Sequence, residues 1–168
     1  MNDLNKEDLK KIKVIVSEVD GIITEHLSAI DPMGYVVFKQ YYMKDFEAIN
    51  ELKKTFIFVF LSADDAVNYK VCRDRNIPFF HGKKDKKEEL VKIMRRYNVS
   101  PEEVLYIGSS FSDLECMRLV PLSVCPSDSV ELIQKIAAQT LSIPSGIGVI
   151  CELYNILSDE ILRRKREE

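Results

Sequence analysis

The chain reads VIVSEVDGIIT over residues 14–24, a short apolar run that leads into a turn with two acidic residues. Such a run is typical of a buried strand. Glu18 and Asp20 are two positions apart, so they project to the same side of an extended chain. Gly21 lets the chain turn sharply beside a bound group. A carboxylate in this position can attack a phosphoryl group when a hard cation neutralises the charge, so we expect phosphoryl chemistry here.

Three further polar stretches follow, and each lies at a predicted connection between a strand and a helix. They are Ser62 after the apolar run Phe56–Leu61, the segment Gly82–Lys86, and Tyr106–Leu114, which reads YIGSSFSDL. Each has an ordinary structural explanation: Ser62 as a helix cap, Lys86 within a solvated helix start, and Asp113 as an acid in a first helical turn. In series with the carboxylate turn, they predict one shared site.

The order of the four motifs resembles that of the haloacid dehalogenase superfamily. The resemblance spans about Lys11 to Leu157. It is greatest to the small phosphatases that act on 3-deoxy-octulosonate 8-phosphate and related sugar acid phosphates, and it extends to the phosphatase-like C-terminal domain of acylneuraminate cytidylyltransferases. The resemblance implies a single domain over residues 1–168 with an α/β fold. That fold is a Rossmann-like doubly wound parallel sheet with a β-hairpin inserted after the first strand.

The resemblance also implies a role for each motif. Glu18 and Asp20 stand at the catalytic positions, the first as nucleophile and the second as general acid and base. Ser62 and Lys86 stand at the phosphate-binding positions. The positions that hold Mg²⁺ are occupied here by Glu18, Asp20, Ser109 and Asp113.

Two metal-binding positions depart from the superfamily patterns Asp-x-Asp-Gly and Gly-Asp-Asp-x-x-Asp. Glu18 replaces the nucleophilic Asp, and its extra methylene moves the oxygen by roughly 1 Å, which can cost on the order of 10²-fold in rate. Ser109 replaces a metal-binding Asp and removes a charged hard ligand. We therefore expect Mg²⁺ binding to be weak or lost, with Lys86 approaching Glu18 or Asp113 as a charge partner.

Two segments that would recognise an anionic substrate also differ. Ser62-Ala63-Asp64 stands where the superfamily has Thr-Gly-Arg, so an acid replaces a cation. Residues 144–152 read PSGIGVICE in place of a Gly-Gly-x-Gly-Ala-x-Arg-like loop, and they contain no basic residue. Binding of a sugar phosphate ligand is therefore expected to be weakened.

Leu27–Tyr42 alternates apolar and polar residues around Asp31–Gly34 and predicts a β-hairpin. In the resembled subfamily the matching hairpin replaces a cap domain and builds a tetramer. Its apolar side chains exceed what a solvated monomer normally exposes, so we expect a homotetramer formed through residues 27–42. These side chains are Ile30, Tyr35, Val36, Val37, Phe38, Tyr41 and Tyr42.

Elsewhere, short apolar runs alternate with helical patterns. The predicted parallel strands are Val14–Val19, Phe56–Leu61, Val104–Ile107 and Leu122–Val124. The predicted helices are Phe46–Lys54, Ala66–Arg75, Glu88–Tyr97, Leu114–Leu119, Val130–Ala137 and Val149–Arg163. This alternation independently predicts a doubly wound sheet.

Composition limits the class of protein. The 168 residues are 46% hydrophobic, enough for one core, and the formal net charge of −3 argues against the basic footprint that a nucleic-acid partner requires. No apolar stretch reaches membrane-spanning length, and the first residues do not resemble a secretory signal, so we expect no membrane association and a cytoplasmic location. The four cysteines form no Cys-x-x-Cys pair and are expected to be buried thiols.

Two classes of function follow. The first is a degenerate phosphatase, weakly active or inactive, that is retained as an oligomeric assembly or regulatory module linked to sialic acid or octulosonate metabolism. The second is an active Mg²⁺-dependent phosphomonoesterase that uses Glu18 as an unusual nucleophile or Asp20 as a base for attack by water. A receiver-like phosphoacceptor is disfavoured, since its N-terminal acidic pair and its Asp on the third strand are missing. The apolar pattern of the strands and the hairpin is intact, whereas the positions for catalysis and metal binding are altered. We therefore favour the first class.

Overall fold

The computed structural model describes residues 4–63, 66–82 and 85–167. The strands are β1 (Val14–Ser17), β2 (Ala29–Ile30), β3 (Val36–Phe38), β4 (Ile57–Ser62), β5 (Phe79–His81), β6 (Val104–Ile107), β7 (Leu122–Cys125) and β8 (Gln139–Thr140). The helices are α1 (Lys6–Lys11), α2 (Met43–Leu52), α3 (Ala66–Asp74), α4 (Lys86–Tyr97), α5 (Leu114–Leu119), α6 (Glu131–Ile136) and α7 (Val149–Glu167). Short 3₁₀ turns at Pro101–Glu103 and Phe111–Asp113 precede β6 and α5.

Within the described residues, six strands form one parallel sheet in the order β5-β4-β1-β6-β7-β8. β1 lies inside the sheet, where Ile15 pairs with Phe58 of β4 on one side and with Leu105 of β6 on the other. The chain runs outward from β1 through β4 to β5 and then returns to β6, so the direction of winding reverses beside β1. The predicted doubly wound α/β fold is confirmed.

Helices cover both faces of this sheet. Side chains alternate along β1, so Ile15 packs into a core with α1, α2, α3 and α7. Val14 and Val16 pack into a second core with α4, α5 and α6. Because β1 is buried on both faces, its sequence is a continuous apolar run instead of an alternating one.

β2 and β3 form the predicted hairpin, an antiparallel pair that follows β1 in the chain. Asp31 shapes its turn, because Asp31 Oδ1 accepts hydrogen bonds from the backbone N–H groups of Met33 and Tyr35, each at 2.9 Å. The hairpin presents most of its apolar side chains to solvent, with Met33 80% and Phe38 61% exposed, whereas Val36, Tyr41 and Tyr42 are half-buried. An exposed apolar surface of this kind is typical of an interface.

The predicted elements are present, with boundaries that differ by a few residues. α4 begins at Lys86 instead of Glu88, because the Asp85 carboxylate caps it by accepting a hydrogen bond from the Glu88 N–H at 2.9 Å. α7 continues beyond Arg163, which pairs with Glu160 at 2.7 Å. Three elements were not predicted. β5 and β8 have three and two residues, too few for a periodic signal, and α1 has six.

Two predictions from composition can be compared with the structure. Cys72, Cys116 and Cys125 are buried free thiols, as predicted, whereas Cys151 is half-buried. Burial raises the pKa of the Cys72 and Cys116 thiols to about 12, which makes them unreactive at neutral pH. In the part of the chain that the structure describes, no helix combines the length and apolar character needed to cross a bilayer.

Candidate active site

The carboxyl ends of β1, β4 and β6 bring the predicted site residues to one edge of the sheet. Glu18 follows β1, and its backbone N–H bonds to the Ile107 carbonyl at the end of β6, at 3.0 Å. Ser62 is the last residue of β4. Lys86 begins α4 after β5, and Asp113 ends the 3₁₀ turn after β6. Parallel strands place their carboxyl ends together, so residues far apart in sequence converge here.

Lys86 lies between two carboxylates. Its Nζ donates hydrogen bonds to Glu18 Oε2 and to Asp113 Oδ1, the latter at 2.8 Å, and a third to Ser112 Oγ at 2.9 Å. Glu18, Lys86 and Asp113 are all buried. The prediction that Lys86 approaches Glu18 or Asp113 is confirmed, and Lys86 contacts both. Two carboxylates against one ammonium leave the cluster with an excess of negative charge when both acids are ionised.

Asp113 has hydrogen bonds on both carboxylate oxygens. Oδ1 also accepts from Tyr106 Oη at 2.8 Å, and Oδ2 accepts from the backbone N–H groups of Ser109 and Ser110 at 2.9 and 3.1 Å. Gly108 permits this close approach, because a Cβ added there would lie 2.5 Å from Asp113 Cβ. Asp113 therefore caps the turn that follows β6 and also belongs to the Lys86 cluster.

The pKa values of Glu18 and Lys86 are both raised. Burial raises the pKa of Glu18 because it penalises the charged carboxylate; Lys86 opposes this effect and Asp113 adds to it. Burial acts to lower the pKa of Lys86, but the neighbouring charges of Asp113 and Glu18 outweigh it. Lys86 therefore stays protonated, and Glu18 takes up a proton at a higher pH than an exposed glutamate does.

Two buried hydroxyls lie at this edge: Ser109 Oγ has no hydrogen-bond partner among the described residues, and Ser62 Oγ lies close enough to Glu18 to lower the pKa of that carboxyl. Ser109 Oγ lies against the first-motif turn, 2.3 Å from the position that a Cβ would take on Gly21. His26 Nδ1 is 2.6 Å from the same position, and this histidine was not among the predicted site residues. Buried hydroxyls are normally hydrogen-bonded, so Ser62 and Ser109 are groups through which the site can bind a polar ligand.

The Asp20 carboxylate has a different set of partners. Lys39 Nζ and Asn68 Nδ2 each lie 2.8 Å from Asp20 Oδ2. Sequence reasoning missed both partners, because Lys39 follows β3 and Asn68 lies in α3, outside the motifs. Lys39 could have been singled out from the sequence, because it is the one lysine of the hairpin segment 27–42. The structure thus brings Glu18, Lys86 and Asp113 together and gives Asp20 its own polar contacts.

The C-terminal segment 144–152 packs against the first-motif turn. Ser145 Oγ donates a hydrogen bond to the Gly21 carbonyl at 2.7 Å, and the Gly146 N–H donates to the Ile22 carbonyl at 2.9 Å. A Cβ on Gly146 would lie 2.5 Å from the Glu25 nitrogen, so only glycine fits. This segment therefore borders the site, as its place in the sequence suggested, and it contributes hydroxyl and backbone groups instead of cations.

The four predicted metal positions do not form one cluster of carboxylates. Glu18 and Asp113 meet at Lys86, Asp20 bonds to Lys39, and Ser109 contributes a hydroxyl. In the described ranges 4–63, 66–82 and 85–167, no group of three or more His, Cys, Asp and Glu side chains is placed to hold a metal ion. Asp64, Lys83 and Lys84, which belong to the second and third motifs, lie outside the described residues.

A family model described as haloacid dehalogenase-like hydrolase matches residues 3–150. The match covers most of the chain, and the observed sheet carries the motifs of that family at its carboxyl edge. The chain therefore belongs to the haloacid dehalogenase-like hydrolases.

Within this family the chain is similar to 3-deoxy-D-manno-octulosonate 8-phosphate phosphatases, among other members. The 3-deoxy-D-manno-octulosonate 8-phosphate phosphatase of Haemophilus influenzae is 24% identical over 155 residues, which cover 90% of this chain and 86% of that protein. A cobalt-bound structure of the phosphatase from that organism has a TM-score of 0.84, with 24% identity and 90% of each chain covered. The Moraxella catarrhalis phosphatase, in complex with magnesium, phosphate and KDO, has a TM-score of 0.83 and 20% identity, covering 91% of this chain and 89% of that one. These likenesses establish a shared fold.

Proposed function

We propose that this chain is a degenerate relative of the 3-deoxy-octulosonate 8-phosphate phosphatases. It is weakly active or inactive as a phosphatase and serves as an oligomeric assembly or regulatory module linked to sugar acid metabolism. A single domain over residues 1–168 and a cytoplasmic location are part of this proposal. The observation that carries it is the contact of Lys86 with both Glu18 and Asp113, beside an uncharged Ser109.

The hydrogen bonds and the raised pKa of Glu18 support low phosphatase activity. Its Oε2 accepts a hydrogen bond from Lys86, and its Oε1 accepts one from the Val19 N–H at 2.9 Å. A nucleophilic carboxylate must be ionised and must aim a lone pair in line with the phosphorus. Burial raises the pKa of Glu18 and both oxygens are engaged, so each requirement is met poorly.

The donor set supports weak or lost binding of Mg²⁺. A bound Mg²⁺ supplies charge neutralisation for an incoming phosphate. The donors available for it are Glu18, the Asp20 carbonyl, the Ser109 hydroxyl and Asp113, while Lys86 already neutralises charge on Glu18 and Asp113. Mg²⁺ favours carboxylates and dehydrates reluctantly, so two carboxylates that share a lysine and one hydroxyl do not fit a tightly held ion. Ser62 and Lys86 remain as groups for a phosphate or sugar phosphate ligand.

The hairpin supports an assembly role. It exposes large apolar side chains along most of its length, and a monomer rarely leaves such a continuous surface open to water. We propose a homotetramer formed through the hairpin at residues 27–42. The exposed side chains are Leu27, Ile30, Met33, Tyr35, Val37 and Phe38.

The second candidate is an active Mg²⁺-dependent phosphomonoesterase acting on a sugar phosphate. Its support is that the similar proteins are phosphatases and that one of them was solved with magnesium and phosphate. In that case Glu18 would be the nucleophile, or Asp20 the base for attack by water, with Ser62 and Lys86 holding the phosphate.

A metal-dependent phosphatase assay on a broad panel of sugar phosphates, combined with light scattering, separates the two candidates. The first candidate requires a tetrameric mass and turnover close to that of buffer. Turnover on the order of 1–10³ s⁻¹, the range of ordinary enzymes, would establish the second candidate instead. A monomeric mass at micromolar concentration would remove the assembly role.

A further inference from the structure

Both oxygens of the Asp20 carboxylate accept hydrogen bonds from other side chains. Asp20 Oδ1 accepts from Thr24 Oγ1 at 3.1 Å and from Lys39 Nζ at 3.0 Å. Asp20 Oδ2 accepts from Lys39 Nζ and from Asn68 Nδ2, each at 2.8 Å. An ionised carboxylate offers about four lone-pair sites. Three donor groups, the Thr24 hydroxyl, the Lys39 ammonium and the Asn68 amide, therefore hold the two oxygens of Asp20.

The donors come from three separate parts of the fold. Thr24 closes the first-motif turn, Lys39 directly follows β3 at the base of the hairpin, and Asn68 lies in α3. Tyr41 Oη extends the network by donating to Asn68 Oδ1 at 2.7 Å. Asp20 thus connects the turn after β1 to the hairpin and to a helix on one face of the sheet.

Burial makes these contacts energetically important. The Lys39 side chain is 2% exposed and that of Asp20 is 24% exposed, and Asn68 is fully buried. A buried ammonium or amide without a partner costs several times more free energy than an exposed one. Removing the Asp20 charge therefore takes from the buried Lys39 ammonium the two contacts that it makes with this carboxylate.

We propose that Asp20 is the anchor of the hairpin, with Lys39 and Asn68 as its partners. In the superfamily pattern this position is the general acid and base. Here the same carboxylate orients Lys39, and through it the exposed β3 residues that precede it. The proposal deepens the proposed assembly function, because the anchored hairpin is the surface through which assembly would occur.

Amide hydrogen exchange measured by mass spectrometry tests this assignment. Asp20→Asn removes the charge but keeps the shape, and Lys39→Met removes the ammonium but keeps the apolar stem. In both variants we expect peptides within residues 27–42 to exchange at least roughly tenfold faster, while the peptide that contains β6 (Val104–Ile107) keeps its parent rate. Lys39→Arg should restore slow exchange, because the guanidinium can still donate to Asp20.

The stability of the same variants supplies a second measurement. If Asp20 and Lys39 act as a pair, the double variant should be little worse than the more damaging single variant, a coupling of roughly tenfold in the unfolding equilibrium constant. Independent, multiplicative effects would overturn the proposal. So would equal acceleration of exchange in the hairpin and in β6, or no acceleration in either.

Phosphatase turnover of the same samples distinguishes this proposal from the proposed function. Substantial turnover by the parent that Asp20→Asn abolishes, with hairpin exchange unchanged, would identify Asp20 as catalytic and overturn the anchor. Substantial turnover together with accelerated hairpin exchange in Asp20→Asn would reject the degenerate-phosphatase function and support the anchor.

Discussion

Asp45 Oδ1 accepts a hydrogen bond from the backbone N–H of Cys151 at 3.0 Å and thereby joins the first turn of α2 to the first turn of α7. Asp45 is fully buried, and its Oδ2 has no hydrogen-bond partner among the described residues. Burial raises the pKa of Asp45, although the N–H of Cys151 acts in the opposite direction. A buried carboxylate at the start of a helix is stabilised by the helix dipole. This contact holds the end of the segment 144–152 beside the site.

Asp45→Ala should therefore lower the free energy of unfolding by about 1–3 kcal/mol, because it leaves the Cys151 N–H without its acceptor. Asp45→Asn keeps an acceptor oxygen and removes the buried charge, so its loss should be smaller. Urea unfolding of the two variants checks this order. A larger loss for Asn than for Ala would show that the charge, and not the hydrogen bond, is what stabilises the contact.

Lys86→Met should lower the free energy of unfolding by about 3–5 kcal/mol at neutral pH, because it leaves Glu18 and Asp113 buried without a counter-charge. Lys87→Met is the matched control. Lys87 is exposed and lies 3.7 Å from Glu115, so its loss should stay within about 0.5 kcal/mol. Equal losses in denaturant unfolding of the two variants would mean that the cluster around Lys86 contributes nothing to stability.

Glu18→Gln should stabilise the fold at pH 8 relative to the parent. The folded pKa of Glu18 is raised above its unfolded value, so its contribution to stability is present at low pH and is lost as the pH rises through the raised pKa. The advantage of Gln should therefore shrink as the pH falls and disappear below the ordinary glutamate pKa of about 4.3. Thermal unfolding from pH 4 to pH 8 measures this difference. Glu47→Gln, on the exposed side of α2, controls for loss of charge alone, and an advantage that grows toward acidic pH would contradict the expectation.

Phe38→Glu should reduce the mass measured by light scattering from that of a tetramer to that of a smaller species, because it places a charge in the proposed hairpin interface. Leu162→Glu is the control, since Leu162 is 53% exposed on α7 and Phe38 is 61% exposed on β3. The control should keep the parent mass. A parent that is already monomeric, or a loss of mass in both variants, would remove the hairpin as the interface.

Glu18→Asp combined with Ser109→Asp should restore binding of Mg²⁺ and raise hydrolysis of a generic phosphomonoester by on the order of 10²-fold over the parent. Either change alone should have little effect, because residues that act as a unit are non-additive. Isothermal titration with Mg²⁺ and a p-nitrophenyl phosphate assay measure the two properties separately. Glu18→Asp with Ser127→Asp is the control, since Ser127 is exposed and lies outside the four motifs. A folded double variant that binds Mg²⁺ and stays as inert as the parent would show that Glu18 and Ser109 are not the main causes of low phosphatase activity.

The sequence by itself determined the architecture and the family. β1 could be read from residues 14–16 because a strand buried on both faces must be apolar throughout. The hairpin could be read from Asp31 and Gly34, since turn residues act locally. The short elements could not be predicted in this way, because they carry no local pattern: β8 has two residues and pairs with β7 at the edge of the sheet.

Only the tertiary structure decided that Lys86 contacts both Glu18 and Asp113 and that Asp20 pairs with Lys39 and Asn68. Glu18 and Lys86 are 68 positions apart, and Asp20 and Asn68 are 48 apart. The sequence placed Glu18 and Asp20 on one side of a strand, yet the folded chain gives Glu18 to Lys86 and Asp20 to Lys39. Helix and turn signals depend on neighbours within a few residues. The interaction energy of a buried charge instead depends on how far solvent is excluded around it and on the groups that the fold brings to it from distant parts of the sequence.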